Sequence, residues 1–541
     1  MHADVVIVNG RVHTLDDAGT LCGAIAIVGD RIVAVGDDAD MRALAGPRTE
    51  LIDARQRVVL PGFIDSHTHL RRASLVIAYY LDFLASAPRT VGEVLDAVAE
   101  RAAMTPPGEW IQGDNLSTPA LAERRFPHRR ELDAAAPVNP VVIRGVGRHA
   151  LAANSRALAL AGIDRHTVAP PGGRIEFDES GEPLGVLHER AKLRLDQTRA
   201  DTVVPIPGEP ERLAALAQAM RVLNANGISC IHEMARQPID VSDYLQIRER
   251  GDLTTRVRLY LRGIESQTKL EYTLGLGLRE GFGDEWIRLG GTKFSIDGSS
   301  HIHNAALYEE YPGEPGNRGL VRIEAGELEA AVLASHRAGL QVAIHAIGQR
   351  AADMALDAFE KAQASHRGPR LPHRIEHAFL PPRAGQLERM ARLGLLWSAQ
   401  PAMLADEGDE WLDIFGEDAH RSMPLRTARE LGVAIQLNSD YPCTPLSPFS
   451  SVHSAVTRRT REGEVLGLDE AISVDQALRY LTTAAGYSMT ADGRQGRIAA
   501  GCLADVVVTD QDPYEIAPDD LLDVGIDLTL VGGRVVHRRI D

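Results

Sequence analysis

Residues 58–69 read Val58-Val-Leu-Pro-Gly-Phe-Ile-Asp-Ser-His-Thr-His69, an apolar run that leads directly into two histidines. The part over 58–65 predicts a buried β-strand, because it is short, apolar and rich in β-branched residues. Alternate residues of an extended segment face the same side, so the imidazoles of His67 and His69 can reach one metal ion. The pair alone is a weak motif, because a chain with 19 histidines has an appreciable chance of containing one at random.

Seven further strand-like runs follow this segment and alternate with helical stretches. The strand-like runs cover residues 228–232, 257–262, 287–296, 341–345, 374–378, 395–399 and 433–437. Helical patterns at 212–224, 327–338 and 350–362 separate several of them. Strand–helix alternation predicts a parallel sheet with right-handed crossovers, and eight such units are typical of a (β/α)8 barrel. We therefore predict an α/β fold built on a TIM barrel.

One connection in this pattern is far too long for a loop. About 160 residues separate the first predicted strand from the second, whereas loops beyond ~15 residues are uncommon in compact domains. This segment contains a strand pattern at 141–144 and a helix pattern at 154–161. We predict that residues from about 71 to 210 form a subdomain inserted after strand 1.

The two ends of the chain share a sequence pattern that differs from that of the barrel. Residues 4–13 and 24–36, like 503–509 and 528–536, are β-branched runs interrupted by glycine turns. Neither end is long enough for an independent sheet. We predict that residues 1–57 and 491–541 combine into a small composite β-sandwich beside the barrel of residues 58–490.

Composition excludes several classes of protein. A chain of 541 residues with 44% hydrophobic residues is not disordered. Its 58 basic and 75 acidic residues give a net charge of −17, which would repel a phosphate backbone. Four cysteines without a C-x-x-C pair suit a reducing compartment, and we find neither a signal peptide nor an apolar run of the ~20 residues that span a bilayer. We predict a cytoplasmic protein that acts on small molecules and contacts neither nucleic acid nor membrane.

Four more candidate metal ligands lie in or at the carboxyl ends of predicted strands. They are Lys293, His345, His377 and Asp440. In a barrel such positions converge on the catalytic face, and imidazole with carboxylate suits Zn²⁺, Mn²⁺ or Fe²⁺. Lys293 requires a separate explanation, since an ammonium group repels a cation. It either pairs with an acid such as Asp297 or is deprotonated, modified or displaced at the metal.

Six segments carry a more specific pattern because of their order along the chain. They are residues 61–69, 293–298, 344–348, 374–377, 438–442 and 496–505. Together they resemble the amidohydrolase superfamily of metal-dependent hydrolases, and within it the YtcJ-like branch that includes N-substituted formamide deformylases. The resemblance implies a (β/α)8 barrel flanked by a small β-sandwich from both termini. It also implies ligands from strands 1, 4, 5, 6 and 8.

The same resemblance implies a metal centre and a mechanism. The first two histidines and Asp440 would hold the more buried metal, and His345 and His377 the second. Lys293, carboxylated by CO₂, would bridge them, and this carbamate removes the electrostatic objection. The implied cofactors are thus one or two Zn²⁺ per chain, or other divalent metals, and the carbamate. A metal-activated hydroxide would attack a carbonyl while Asp440 acts as general base and then general acid. A homodimer is the assembly that the family suggests.

Five residues are candidates for substrate binding. They are Arg144, His149, His232, His301 and His303. By the resemblance, His149 reaches the substrate and either stabilises an oxyanion as a catalytic group or anchors a carboxylate. Arg144 and Arg148 could also anchor a carboxylate, or belong to a solvated basic loop. His232 ends strand 2 and is either a substrate contact or a core histidine, whereas His301 and His303 follow strand 4 outside the family pattern.

We predict a metal-dependent amidohydrolase that cleaves a C–N amide-type bond, such as that of an N-acyl or N-formyl amine. One alternative keeps the fold and changes the reaction to ring deamination or to ester or lactone hydrolysis. Lys293 disfavours the deaminases, which in this superfamily usually use one metal and lack the ligating lysine. Another alternative is a non-catalytic binding protein on a retained barrel.

Overall fold

A barrel of eight parallel strands forms the centre of the computed structural model, which describes residues 2–197, 201–263, 269–487 and 493–539. The strands are β1 (Phe63–Thr68), β2 (Ile228–Ala235), β3 (Arg256–Arg262), β4 (Ile287–Ser295), β5 (Gln341–Ala346), β6 (Arg374–His377), β7 (Leu396–Ala399) and β8 (Ala434–Leu437). Each pairs with the next along the chain. A parallel bridge between Thr68 and Tyr441 brings the end of β1 to the segment after β8. The predicted fold class is confirmed.

Helices cover the outside of this barrel and connect its strands. They are Leu70–Tyr79, Glu209–Ala225, Pro238–Glu249, Leu270–Gly275, Ala325–Arg337, Gln349–Ser365, Gln386–Arg392, Ala402–Phe415, Leu425–Glu430, Pro448–Thr457, Val474–Tyr480 and Thr483–Tyr487. The helix before β6 shows why they pack here, because Ala351, Ala355 and Phe359 recur at helical spacing and are buried. Within the described ranges, no helix has the length and apolar character needed to cross a membrane.

The first predicted strand proves to be two strands of different sheets. Val58–Pro61 pairs with Val506–Thr509 in a sheet of the terminal domain, whereas β1 begins at Phe63 and pairs with β2. The chain changes sheets at Gly62, where a Cβ atom would lie 2.5 Å from Ser229 Oγ. Only a residue without a side chain fits this close approach. The prediction of one strand over 58–65 was therefore wrong.

Two sheets lie beside the barrel, and one of them combines strands from both ends of the chain. One sheet has the order Arg534–Arg538, Ile526–Val531, Val506–Thr509, Val58–Pro61, Arg11–His13 and Leu21–Cys22, and the other has Arg31–Gly36, Ala24–Val28, Ala3–Val8 and Ala45–Asp53. The short helix Asp38–Ala43 precedes the last of these strands. The two sheets share one apolar core, in which Ile7 and Ile25 lie with Val508 and Leu528.

The long connection after β1 folds around a six-stranded sheet of its own. The strand order is Gly173–Phe177, Pro183–Glu189, Ala150–Ala153, Val141–Gly145, Ile111–Leu116 and Leu81–Asp82. The helices of this segment are Phe83–Ser86, Val91–Met104, Arg129–Ala135 and Ser155–Ala161. The last begins where the Asn154 side chain accepts a hydrogen bond from the Ala157 amide. Val146, Arg148 and His149 of the inserted segment line a cavity together with residues at the ends of the barrel strands.

A pair of buried histidines near the amino ends of β5 and β6 makes stability depend on pH. His373 Nδ1 accepts from the Val342 amide at 3.0 Å, so its Nε2 donates to His336 Nδ1 at 2.8 Å. His336 Nε2 donates in turn to the His366 carbonyl at 2.8 Å. Both rings must be neutral to complete this chain. Burial lowers the pKa of His373 to about 3, with a smaller effect from His336.

The sign of this shift predicts acid sensitivity. The pKa of His373 is lower in the folded protein than the value of about 6.5 in the unfolded chain. The folded state is therefore fully stable above pH 6.5 and loses stability as the pH falls from there towards 3. We expect the Tm to fall over this range, and to fall less steeply in His373→Gln, whose amide still donates to His336. Thermal unfolding from pH 8 to 4 checks this, with exposed His166→Gln as the control. If the Tm of His373→Gln falls as steeply with pH as that of the wild type, His373 is not the source of the acid sensitivity.

Candidate functional site

Three buried side chains meet at the carboxyl ends of the barrel strands. Ligand atoms of His67, His377 and Asp440 all lie within 4.8 Å of one another. Asp440 Oδ1 lies 3.7 Å from His67 Nε2 and 3.5 Å from His69 Nε2, and its Oδ2 lies 3.9 Å from His377 Nδ1. These residues are far apart in sequence and meet because β1, β6 and β8 end at the same face of the barrel.

The other predicted ligands adjoin this group. Lys293 Nζ lies 3.5 Å from His67 Nε2, and the His345 ring lies 4.5 Å from the His377 ring. His345 Nε2 also donates to the Gly298 carbonyl at 3.1 Å. All six predicted ligands thus line one cavity of about 1390 Å³.

Hydrogen bonds fix the orientation of two of the candidate ligand histidines. His67 Nδ1 donates to Glu376, which also accepts from Arg374 Nε at 2.6 Å. This arrangement leaves the lone pair of His67 Nε2 directed towards the group of ligands. His377 Nδ1 donates in the same way to Gln400 Oε1 at 3.0 Å. A carboxylate or amide behind the imidazole is the usual support of a metal-binding histidine.

The role of Glu376 behind His67 can be tested through the affinity of the site for metal. In Glu376→Gln the amide still reaches His67 and keeps its shape, but it no longer draws the Nδ1 proton with a full charge. We expect the affinity for Zn²⁺ to fall about 10–100-fold. Competition with a chromogenic chelator measures this affinity, and the Tm of the metal-free protein controls for the loss of the Arg374 partner. An unchanged affinity would contradict the proposed role of Glu376.

The donor set fits a divalent metal. Asp440 Oδ1 is buried and has no hydrogen-bond partner among the described residues. Burial lowers the pKa of the four candidate ligand histidines well below the usual value, so they are neutral at physiological pH. Neutral imidazoles around a carboxylate oxygen without a donor are ligands that a divalent transition metal satisfies. Burial also lowers the pKa of Lys293 and raises that of Asp440.

Asp65 and Asp297, in addition, anchor the loops that carry the ligands. Asp65 accepts from the Ser439 amide at 3.1 Å, which ties the segment before Asp440 to β1. Asp297 accepts from the Gly348 amide at 2.8 Å and lies 3.4 Å from His345 Nε2. Asp440 itself has a left-handed backbone with φ of 51°. Such strained backbone conformations are concentrated at functional sites.

His149 faces the same centre from the inserted segment. Its ring lies 5.5 Å from that of His345, and its Nδ1 lies 2.8 Å from Glu189 Oε1. Glu189 also lies 3.3 Å from Arg322 Nη1. The sequence did not indicate Glu189, because its role depends on the position of the inserted sheet. No local motif marks it.

The two histidines after β4 both line a smaller cavity, but of the two only His301 also lines the large one. His301 lines the large cavity, and its Nδ1 lies 2.7 Å from Ser299 Oγ and 3.2 Å from Glu407 Oε1. Burial opposes protonation of His301, but Glu407 outweighs it and raises the pKa. His303 Nδ1 lies 2.6 Å from Glu314 Oε1. The smaller cavity that His303 lines has a volume of about 360 Å³.

Arg144 and His232 do not lie among the described residues that line the large cavity. His232 Nδ1 accepts from Arg374 Nη1 at 2.9 Å and so belongs to the network behind the ligands. Arg144 Nη2 donates to Gln112 Oε1 at 3.1 Å within the inserted sheet. Arg148, in contrast, lines the cavity and donates through Nε to Asp114 at 2.8 Å.

Comparisons with known proteins agree with this architecture. Residues 50–537 match the model of the amidohydrolase family. The chain is 29% identical to the N-substituted formamide deformylase of Arthrobacter pascens, over 99% of this chain and 98% of the relative. It is 30% identical to the LONG AFTER FAR-RED 3 protein of Arabidopsis thaliana, over 99% and 92%. An uncharacterized metal-dependent hydrolase from Pyrococcus furiosus has the same fold, with a TM-score of 0.72, 25% identity and coverage of 94% and 100%.

Proposed function

Because the chain belongs to the amidohydrolase family, we propose that it hydrolyses the C–N amide-type bond of a small N-acyl or N-formyl amine. The main support is that the six candidate ligands line one cavity, with Asp440 Oδ1 buried and unpartnered among the described residues. The similarity to an N-substituted formamide deformylase favours an amide over other substrates. A cavity of about 1390 Å³ has room for a small molecule.

The proposal assigns the metal ligands as follows. His67, His69 and Asp440 would hold one divalent metal, and His345 and His377 a second. Lys293 would bridge them as a carbamate. Zn²⁺ suits this set, as do other divalent transition metals. When bound, the metal supplies Lewis acidity, which polarises a carbonyl group and acidifies water.

Two side chains would handle protons and charge. With Oδ1, which has no hydrogen-bond donor among the described residues, as the metal ligand, the second carboxylate oxygen of Asp440 would accept the proton of the attacking water. Asp440 would then deliver this proton to the nitrogen of the leaving amine. His149 lines the cavity and its Nδ1 lies 2.8 Å from Glu189 Oε1, so its other ring nitrogen would stabilise the oxyanion when protonated. Burial lowers the pKa of His149 and Glu189 opposes this effect.

A substrate panel tests this proposal. Protein supplied with Zn²⁺ and bicarbonate is assayed with N-formyl amines, N-acyl amines, amino-substituted rings, esters and lactones. We expect release of amine from the first two classes, and its loss after chelation. Ammonia from rings or alcohol from esters as the preferred product would contradict the assigned bond. A compound that is bound tightly but never consumed would instead support a binding protein.

A further inference from the structure

His301 lies between two cavities of the protein. Among the described residues, it alone lines both the large cavity of the candidate metal centre and the smaller cavity of about 360 Å³. Its neighbours along the chain divide in the same way, since Ser299 lines the large cavity and His303 the smaller one. On the helix after β7, Glu407 lines the large cavity and Glu410 the smaller one. These two elements therefore form a partition that, at His301, is a single side chain.

Hydrogen bonds hold the ring of His301 in the partition. Its Nδ1 lies 2.7 Å from Ser299 Oγ and 3.2 Å from Glu407 Oε1. Glu407 also accepts from Ser300 Oγ, which in turn accepts from Trp411 Nε1 at 3.3 Å. Because Glu407 and Trp411 belong to one helix, this network ties the segment after β4 to the helix after β7. The imidazole is therefore a fixed wall of the large cavity.

Aromatic side chains connect the candidate ligands with this wall. Phe379 lines the large cavity, and its ring lies 6.4 Å from the ring of the candidate ligand His377. On its other side, Phe379 stacks on Trp411 with the ring centres 5.0 Å apart. Trp411 donates to Ser300, the residue before His301. An apolar chain that starts at the metal centre can therefore follow Phe379 to His301 and ends against the imidazole.

The smaller cavity behind this wall has space for more of such a chain. Its volume of about 360 Å³ exceeds the ~150 Å³ of an apolar protein cavity that binds benzene. Its apolar side consists of Phe126, Val186, Ile302 and Ile414. Charged residues that line it pair with one another, as His188 Nε2 with Glu176 Oε1 at 2.6 Å and Arg124 Nη1 with Asp413 Oδ2 at 3.0 Å. An alkyl chain that entered this space would leave these pairs intact.

We propose that His301 sets the upper length of the amine substituent that the protein accepts, by closing the large cavity against the smaller one. This inference rests on the proposed function, because it assigns a size limit to the substrate of the same centre. Each methylene that the large cavity buries should improve the affinity about fourfold. A chain that meets the fixed imidazole gains nothing further, because overpacking a filled site is unfavourable.

A homologous series of ligands tests this limit independently of turnover. N-alkylmethanesulfonamides, from ethyl to decyl, carry the substituent of an N-alkylformamide but resist hydrolysis, and isothermal titration of the metal-loaded protein measures their affinities. We expect the affinity of the wild type to rise with chain length and then to stop rising. In His301→Ala, a chain two methylenes beyond this limit should bind at least about tenfold more tightly than in the wild type. His301→Gln, which keeps a side chain of similar volume, and the surface variant His166→Ala should keep the limit.

Three results would overturn the inference: no length limit or no binding in the wild type, an unchanged limit in folded His301→Ala, or an equal shift in His301→Gln. Metal content and Tm are measured for each variant. If His301→Ala fails to fold because Glu407 loses its partner, the double variant His301→Ala/Glu407→Gln removes the unpaired charge and decides.

Hydrolysis of the matching N-alkylformamides separates this inference from the proposed function. Turnover of these amides without a length limit would uphold the proposed function while rejecting the role of His301. A limit that moves in His301→Ala, without turnover of any amide, would reject the proposed reaction but leave His301 as the wall between the cavities.

Discussion

Replacement of Asp440 by asparagine is expected to lower kcat/KM about 10³-fold while leaving the fold intact. An amide can neither take a proton from water nor return one to the leaving amine. Asp440 Oδ1 lies 3.5 Å from His69 Nε2 and 3.7 Å from His67 Nε2, so the variant would also remove the charge of a proposed metal ligand. Steady-state kinetics on the best substrate of the panel measures the effect.

Asp357→Asn is the matched control for this variant. Its side chain is 56% exposed and pairs with Arg389 on the surface, so the same chemical change should leave activity unaltered. Circular dichroism and Tm establish that both variants fold. Full activity in a folded Asp440→Asn protein would eliminate the proposed role of this carboxylate.

Lys293→Arg is expected to reduce metal affinity by more than the ~10–100-fold that loss of a supporting hydrogen bond causes. Only a neutral amine combines with CO₂ to give a carbamate and a proton, and burial favours the neutral form of Lys293 by lowering its pKa. A guanidinium cannot make this product and stays positively charged beside the metal. Metal-free wild type should therefore regain full activity with Zn²⁺ only when bicarbonate is present.

A second lysine of the same cavity provides the control. Lys192 lines the cavity and pairs with Asp196. Lys192→Arg makes the same substitution as Lys293→Arg and keeps a positive charge beside Asp196. With isotopically labelled bicarbonate, NMR should detect a carbamate carbon in wild type and in Lys192→Arg, but not in Lys293→Arg. A carbamate signal that survives in Lys293→Arg, or is missing in metal-loaded wild type, would refute the bridging carbamate.

The barrel was predictable from sequence because its strands and helices alternate with distinct periodicities. The predicted runs at 257–262, 287–296 and 341–345 match β3, β4 and β5 to within one residue at each end. The split at Gly62 was not predictable. Apolar residues continue through it, and hydrophobicity does not reveal that one half pairs with β2 and the other with Val506–Thr509.

The candidate site was only partly predictable for a related reason. Barrel topology brings strand ends together, so His345 and Asp440 could be grouped before the structure was known. His232 looked like a strand end, but β2 continues to Ala235, which leaves this histidine below the mouth of the barrel. Glu189 carries no sequence signal, because its importance depends on which tertiary neighbours it meets.

The most direct test of the central claim is the metal content per chain, measured by elemental analysis of protein purified without chelator. We predict at least one divalent transition metal per chain in the wild type, with two if Lys293 bridges as proposed, and a marked loss in His67→Ala. A wild-type protein that holds no metal after supply of Zn²⁺ and bicarbonate would contradict the account.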